Sequence, residues 1–401
     1  MRIFIIVHLF LFASLAAVAS VGGVIVLNRS GDDGNIAALA DRYTYDVAGW
    51  ELRHFPGKLL YTIGHLFDGG SAREADDALL LRYDRLVSDI RELERQTSDS
   101  ITPQLESSLL ALRQERQDLE NRVESILEDR IDDLLRDEEL TISPPLFSDI
   151  ALIFPPVDFE LDQPPQVLAV SPRDRIYLDA NYLLQAGLNF EQTRDLELDA
   201  ETAGVSAIVI AIGGISTYPS IIPELSDSQS ITETAIHEWL HQYLALHPLG
   251  RRYFASSEMR TLNETVANMV AAELSRPLAG ILPAETAQTP PPPAGFDFPH
   301  EMRQLRLDVE RLLQQGNVEE AERLMEERRR LFAEKGYFIR KLNQAYFAHY
   351  GFYADAPASI DPIGPKLQAL RQQLGSVREF VHTVARFEGV ADLDRALAEI
   401  N

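Results

Sequence analysis

Apolar side chains between residues 71 and 140 recur at alternating steps of four and three, the heptad spacing of helices that pack along a seam. Thr102 and Pro103 divide the pattern into two series and suit the N-cap and first residue of a second helix, while polar Arg116 interrupts the second series. The pattern predicts two long helices, packed either as a hairpin within one chain or as a coiled coil in a homodimer. The apolar series are Leu79, Tyr83, Leu86, Ile90 and Leu93, and then Leu105, Leu109, Leu112, Leu119, Val123 and Ile126.

Residues 141–401 combine short apolar runs with amphipathic helical patterns and are predicted to form one domain. The runs at 167–170 and 205–215 have the length of strands, and glycines and a proline follow the second run closely. The predicted fold class is therefore α+β and mostly helical, with a small β-sheet. Helices are predicted over 231–246, 257–275, 299–315, 318–335 with a continuation or restart toward Tyr350, 365–375 and 376–400.

The first 30 residues are predicted to form a membrane anchor. No residue from Ile3 to Leu27 is formally charged, and this run of about 25 residues matches the length of a tilted membrane-spanning helix. The pattern predicts a single-pass membrane protein whose larger part is extracytoplasmic, with a cleaved signal peptide as the alternative. Residues 31–70 interleave aromatic and basic side chains, as in a juxtamembrane amphipathic segment; packing against the following domain is the alternative.

The charge balance narrows the class of partners. The chain has 62 acidic and 37 basic residues and a formal net charge of −25. A general nucleic-acid-binding protein needs a basic surface for phosphates, so nucleic acid is not an expected partner. Because there is no cysteine, disulfides and thiolate metal sites are excluded.

The run His237-Glu238-Trp239-Leu240-His241 carries the candidate chemistry. On a helix, two histidines four residues apart share one face and can bind the same metal ion. Glu264 is the best candidate for a third ligand, because Ala267 and Ala271 on its face would let the two helices approach closely; Glu258 is the second choice. Glu238 would serve as general base toward an activated water. The spacing favours zinc, although two histidines and a carboxylate also suit iron.

A hydrolytic site also needs a group that stabilises the developing oxyanion, often a phenol. Tyr350 and Tyr353 lie in an aromatic-rich run between residues 343 and 353. Either could supply the hydroxyl, although each tyrosine on its own could equally belong to the core.

His237-Glu238-x-x-His241 followed by Asn263-Glu264-x-x-Ala267 resembles the gluzincin metallopeptidases. The later run Leu342-Asn343-Gln344-Ala345 is similar to a segment of a bacterial putative aminopeptidase family, with Gln344 in place of its second asparagine. The resemblance implies that Glu264 is the third zinc ligand and that Tyr353 is the active-site tyrosine. It also implies a substrate-binding strand edge at 205–215, where Gly213 and Gly214 would allow close approach.

The predicted function is that of a membrane-anchored zinc peptidase acting on peptides or proteins. The chain has no counterpart of the G-x-M-E-N motif that binds the substrate's amine in many gluzincin aminopeptidases; Glu224 is a substitute without motif support. Exopeptidase and endopeptidase activity both stay open. The alternative function is a membrane-tethered scaffold with a structural zinc site, in which the helical hairpin binds partners.

Overall fold

The computed structural model describes residues 34–54, 73–97, 102–141, 152–279 and 295–400. The predicted anchor at residues 1–30 lies outside these ranges. Within them, no helix combines the length and the apolar character needed to cross a membrane. This finding corrects the prediction of a transmembrane helix in the fold and of a single-pass membrane protein. The long helices that the structure describes carry charged side chains along their exposed faces.

The described chain is mostly helical, with two small sheets. The first elements are α1 (Gly34–Ala40), α2 (Arg73–Thr97) and α3 (Pro103–Asp137), and residues 47–54 are also helical. The strands are β1 (Phe159–Asp162), β2 (Gln166–Pro172), β3 (Ala180–Leu184), β4 (Val205–Ala211) and β5 (Ser220–Pro223), with helix α4 (Phe190–Thr202) between β3 and β4. The remaining helices are α5 (Ser228–Ala245), α6 (Pro248–Arg251), α7 (Ser257–Ala279), α8 (Phe298–Gln314), α9 (Val318–Glu334), α10 (Gln344–Tyr350), α11 (Ile363–Gln373), α12 (Val377–Val384) and α13 (Val390–Ile400).

Helices α2 and α3 pack against each other within the chain, and Thr102 caps α3 as its position predicts. Their buried side chains, including Leu80, Val87, Val123 and Leu127, join the same core as helices α5 and α7. This part of the hairpin's apolar face is therefore buried together with the domain that follows it.

Strands β3, β2 and β4 form an antiparallel sheet in that order, and β1 pairs with β5 in parallel. The predicted strand over 205–215 ends at Ala211, and Ile215 makes an isolated bridge with Ile221. The described part of segment 31–70 packs on these strands: Tyr45 N donates to Leu183 O (3.2 Å), and Trp50 Nε1 donates to Asp162 (2.7 Å).

Helices α5 and α7 form the centre of the domain and pack closely on one another. Ala267 and Ala271 are buried at 0% and 1% exposure, in keeping with the close approach that small residues allow. Helix α5 begins three residues earlier than predicted, and Asp227 caps it by accepting from Ser230 N. The predicted C-terminal helix over 376–400 is two helices, because a non-helical stretch divides α12 from α13.

Candidate metal centre and its cleft

Helices α5 and α7 bring the predicted ligands together. His237 and His241 lie one turn apart on α5, and Glu264 faces them from α7, with one ligand atom of each within 4.8 Å of the others. Hydrogen bonds hold α5 in place: Gln242 Nε2 donates to Thr217 O (2.6 Å) and to Ser220 Oγ (2.9 Å). The side-chain positions thus follow from helical spacing and from the close packing of the two helices.

The separations of the three ligand atoms suit a small tetrahedral ion. His237 Nε2 is 3.0 Å from His241 Nε2, and Glu264 Oε2 is 3.6 Å and 3.4 Å from these two nitrogens. Ligands about 2.0–2.1 Å from a tetrahedral zinc ion stand roughly 3.3–3.4 Å from one another. Two imidazoles and a carboxylate are also a zinc donor set, so the residues present fit a bound metal ion.

Two neighbouring side chains orient the ligands. His241 Nδ1 lies 2.7 Å from Asn263 Oδ1; since the amide oxygen accepts, Nδ1 carries a proton, and Nε2 is the nitrogen that faces the other ligands. The Tyr253 hydroxyl donates to Glu264 Oε1, which leaves Oε2 for the metal. Such outer contacts set ligand orientation in metal sites.

Burial and charge act together on the ligand pKa values. Burial opposes ionisation of Glu264, which is 7% exposed, but the imidazoles of His241 and His237 outweigh it and hold the pKa of Glu264 well below its usual range. Burial likewise opposes protonation of His241, yet Glu264 raises its pKa to about 9. Metal ligands bind in their deprotonated forms, so a cation between the two groups would displace the proton that this raised pKa favours on His241.

Glu238 lies beside the three ligands with its carboxylate in the cleft. It is 6% exposed, and burial raises its pKa despite the nearby histidines. Ser216 Oγ donates to its backbone carbonyl (3.0 Å). Gly214 makes room for the side chain, because a Cβ at that position would stand 2.7 Å from Glu238 Oε1.

The three ligand residues and Glu238 open into a cleft of about 1400 Å³. Tyr350, Tyr353, Gly213 and Gly214 all line it, as do residues of the 34–54 segment, among them Asp41 and Tyr45. The charge of Glu264, together with burial, raises the pKa of Tyr353 well above its usual value, so its hydroxyl stays protonated near neutral pH. Tyr350 packs against Tyr346, with ring centroids 4.5 Å apart.

The run Leu342-Asn343-Gln344-Ala345 attaches α10 to the outer edge of β4. Asn343 caps α10 and its Nδ2 donates to Ala207 O (2.9 Å). Two residues further along β4, Val209 N donates to Glu197 (2.7 Å) and Val209 O accepts from Arg340 (2.8 Å). Side chains therefore take up the backbone hydrogen-bonding groups in the middle of this edge of β4. The residues of this segment that line the cleft are 210–216.

Two acidic candidates lie elsewhere. Glu224 accepts from Arg116 of the hairpin at 2.6 Å, and it is not among the residues that line the cleft. Glu258 is exposed at the start of α7, where contacts with its own backbone and Ser256 lower its pKa. The structure thus places Glu264, rather than Glu258, beside the two histidines.

Sequence reasoning assigned no role to Tyr253 or Asn263. Asn263 could have been suspected from its place beside Glu264, whereas Tyr253 lies in a turn after α6 with no pattern around it. Comparison of the chain with protein-family models, curated proteins and solved structures finds no match. The gluzincin resemblance therefore rests on its motif residues alone.

Proposed function

We propose that the protein is a zinc-dependent peptidase that hydrolyses peptide bonds in the cleft. The observation that carries the proposal is the position of Glu238: a buried carboxylate, next to His237 along α5, that lines the same cleft as two histidines and a glutamate with metal-ligand spacing. A purely structural metal site has no need of a neighbouring base, and a structural site has no need of an open cleft of about 1400 Å³.

His237, His241 and Glu264 would hold the metal, with Asn263 and Tyr253 orienting them. Zinc in such a site supplies Lewis acidity that activates water and polarises a carbonyl group. Glu238 accepts the proton of the attacking water on its carboxylate and delivers it to the leaving amine. The protonated hydroxyl of Tyr353 is the proposed donor to the developing oxyanion, with Tyr350 as the second candidate.

The cleft has features that suit an extended peptide. Backbone at 210–216 lines one wall, and Gly213 carries no side chain that would obstruct approach. Exopeptidase and endopeptidase activity remain alternatives, since Glu224, the substitute for an amine-binding glutamate, pairs with Arg116 instead. The scaffold alternative gains no support from the part of the hairpin where Leu80, Val87, Val123 and Leu127 are buried in the core.

The first test concerns the metal. The full chain is expected to bind one equivalent of zinc, measured by elemental analysis after removal of free metal. Glu264→Gln should weaken zinc binding at least tenfold, because it removes a charged ligand. Glu258→Gln is the matched control and should retain zinc. A wild-type chain without stoichiometric metal, or equal loss in both variants, would contradict the assignment.

The second test concerns catalysis. Glu238→Gln should keep zinc but lower the kcat for peptide hydrolysis by roughly 10²–10⁴-fold, the contribution of a positioned general base. A peptide library read by mass spectrometry identifies a substrate first. Cleavage by Glu238→Gln at the wild-type rate would refute the role of Glu238; an intact zinc site without any turnover would instead favour the scaffold.

A further inference from the structure

Arg260 is a cation held in the wall of the cleft, one helical turn before Glu264 on α7. Its guanidinium carbon lies 4.8 Å from the centroid of the Phe352 ring, 5.3 Å from that of Tyr253 and 5.6 Å from that of Phe254. Rings on several sides restrict the rotamers of a long side chain and hold its charge in place.

None of the acidic side chains in the described ranges forms an ion pair with Arg260. Its backbone N–H donates to Ser256 O, just before α7, at 3.2 Å. Arg252, in contrast, pairs with Glu388 at 2.9 Å. Arg251 is the other arginine that lines the cleft, and it donates to Leu246 O at 2.7 Å. The five guanidinium N–H groups of Arg260 thus retain capacity for an anion.

Apart from Arg251, the other formally charged residues that line the cleft are carboxylates: Asp41, Glu233, Glu238, Glu264 and Asp355. A negatively charged substrate group would be repelled from most of this surface. It would be attracted to Arg260, which lies next to the metal centre because Tyr253 contacts both the guanidinium and Glu264.

We propose that Arg260 forms a carboxylate-binding subsite, so that the substrates are peptides with a carboxylate close to the bond that is cleaved. Arg260 precedes Glu264 by four positions on the helix. This is a rise of roughly 6 Å along the helix axis, which is the length of about two extended residues. The carboxylate belongs to the C-terminus of a short peptide or to an acidic side chain. The proposal rests on the peptidase function proposed above.

The experiment uses two pairs of blocked peptides with the zinc-loaded full chain. Members of the first pair differ only in a free or amidated C-terminus, and members of the second, both amidated, differ only in Glu or Gln beside the cleaved bond. Wild type should favour the carboxylate by at least about tenfold in kcat/KM in one pair, as expected for a charge-assisted hydrogen bond. The pair that shows the preference identifies the source of the carboxylate.

Arg260→Gln should reduce the preference to about one, because it should slow cleavage of the carboxylate peptide more than cleavage of the neutral peptide. Arg260→Lys keeps the charge and should retain part of the preference. Arg252→Gln removes the same charge nearby, outside the cleft lining, and should leave the preference unchanged. A wild-type ratio near one in both pairs, or Arg260→Gln slowing charged and neutral peptides equally, would overturn the subsite.

Binding separates this proposal from the peptidase function. Calorimetry of the same pairs with Glu238→Gln, and with Glu238→Gln combined with Arg260→Gln, needs no turnover. A carboxylate preference that depends on Arg260 would support the subsite even if wild type hydrolysed nothing, in which case the peptidase function alone would fail. Equal binding of both members of each pair, or no binding of either, would overturn the subsite.

Discussion

At the scale of single residues, the geometry of the site depends on side chains that do not themselves reach the metal position. Asn263 determines which nitrogen of His241 carries the proton, and Tyr253 engages one oxygen of Glu264 so that the other faces the histidines. Gly214 acts by its lack of a side chain, since Glu238 Oε1, Thr234 Cγ2 and Ile221 O surround the position that a Cβ would take.

Gly214→Ala is therefore expected to impair catalysis while sparing metal binding. Its Cβ would stand 2.7 Å from Glu238 Oε1 and 2.9 Å from Thr234 Cγ2, and the flexible carboxylate would move aside. Misplacement of a catalytic group by about 1 Å costs on the order of 10²-fold, so kcat should fall by about 10–100-fold with zinc content unchanged.

Gly213→Ala is the matched control for this prediction. A Cβ at Gly213 meets no atom of the protein within 4 Å, so Glu238 should keep its position and kcat should stay within about twofold of wild type. Because Gly213 lines the cleft, the added methyl group should act on KM instead. Equal kcat values for the two alanine variants would show that Gly214 does not position Glu238.

At the scale of elements, the start of α5 shows how neighbouring segments determine a helix end. The spacing of Ser230 and Glu233 predicts a capping box, but the helix begins at Ser228 and Asp227 is its cap. Asp84 of the hairpin accepts from both Ser228 N (2.8 Å) and Ser228 Oγ (2.6 Å). Two carboxylates thus satisfy the first N–H groups of the helix that carries His237 and His241.

Asp227→Ala should lower the free energy of unfolding by about 1 kcal/mol, the usual cost of losing an N-cap. Ser230→Ala tests the capping box that the sequence suggested and should change stability by less than about 0.5 kcal/mol. Chemical denaturation of both variants measures the difference. A larger loss for Ser230→Ala than for Asp227→Ala would reverse this assignment of the cap.

At the scale of the whole molecule, Arg116 connects the hairpin to the domain that holds the candidate metal ligands. It interrupts the apolar series of α3, and its side chain is buried at 5% exposure. The guanidinium donates to the Glu224 carboxylate (2.6 Å) and backbone oxygen (3.0 Å) and contacts Glu120 at 3.1 Å. Tyr83 donates to the same backbone oxygen at 2.9 Å. The polar interruption of the heptads is thus a contact between the two parts of the chain.

Arg116→Leu should lower the free energy of unfolding by about 3 kcal/mol, because it leaves the carboxylates of Glu120 and Glu224 without their buried partner. Combining it with Glu224→Leu should cost less than the sum of the single variants. Arg113 lies on the same helix as Arg116 and forms an exposed pair with Glu94 of α2. Arg113→Leu should cost less than about 1 kcal/mol. Equal losses for Arg113→Leu and Arg116→Leu in chemical denaturation would contradict this role.

The sequence by itself determined the long amphipathic helices and the identity of the candidate metal ligands. Both depend on helical periodicity, a local property: apolar spacing predicts α2, α3, α8 and α9 to within a few residues, and i, i+4 spacing places His237 and His241 on one face. The choice of Glu264 also followed a local pattern, the small residues on its face of α7.

Only the tertiary structure decided which residues complete the site. Tyr253 reaches Glu264 from a turn, Arg260 stands among three rings from two segments, and Glu224 pairs with Arg116 rather than facing the cleft. The spacing of these residues along the chain follows no period. Their contacts depend on which segments the folded chain brings together and on burial and charge at that place. The His237–His241 pair could be predicted from one helix, whereas its surroundings required the packing of the whole chain.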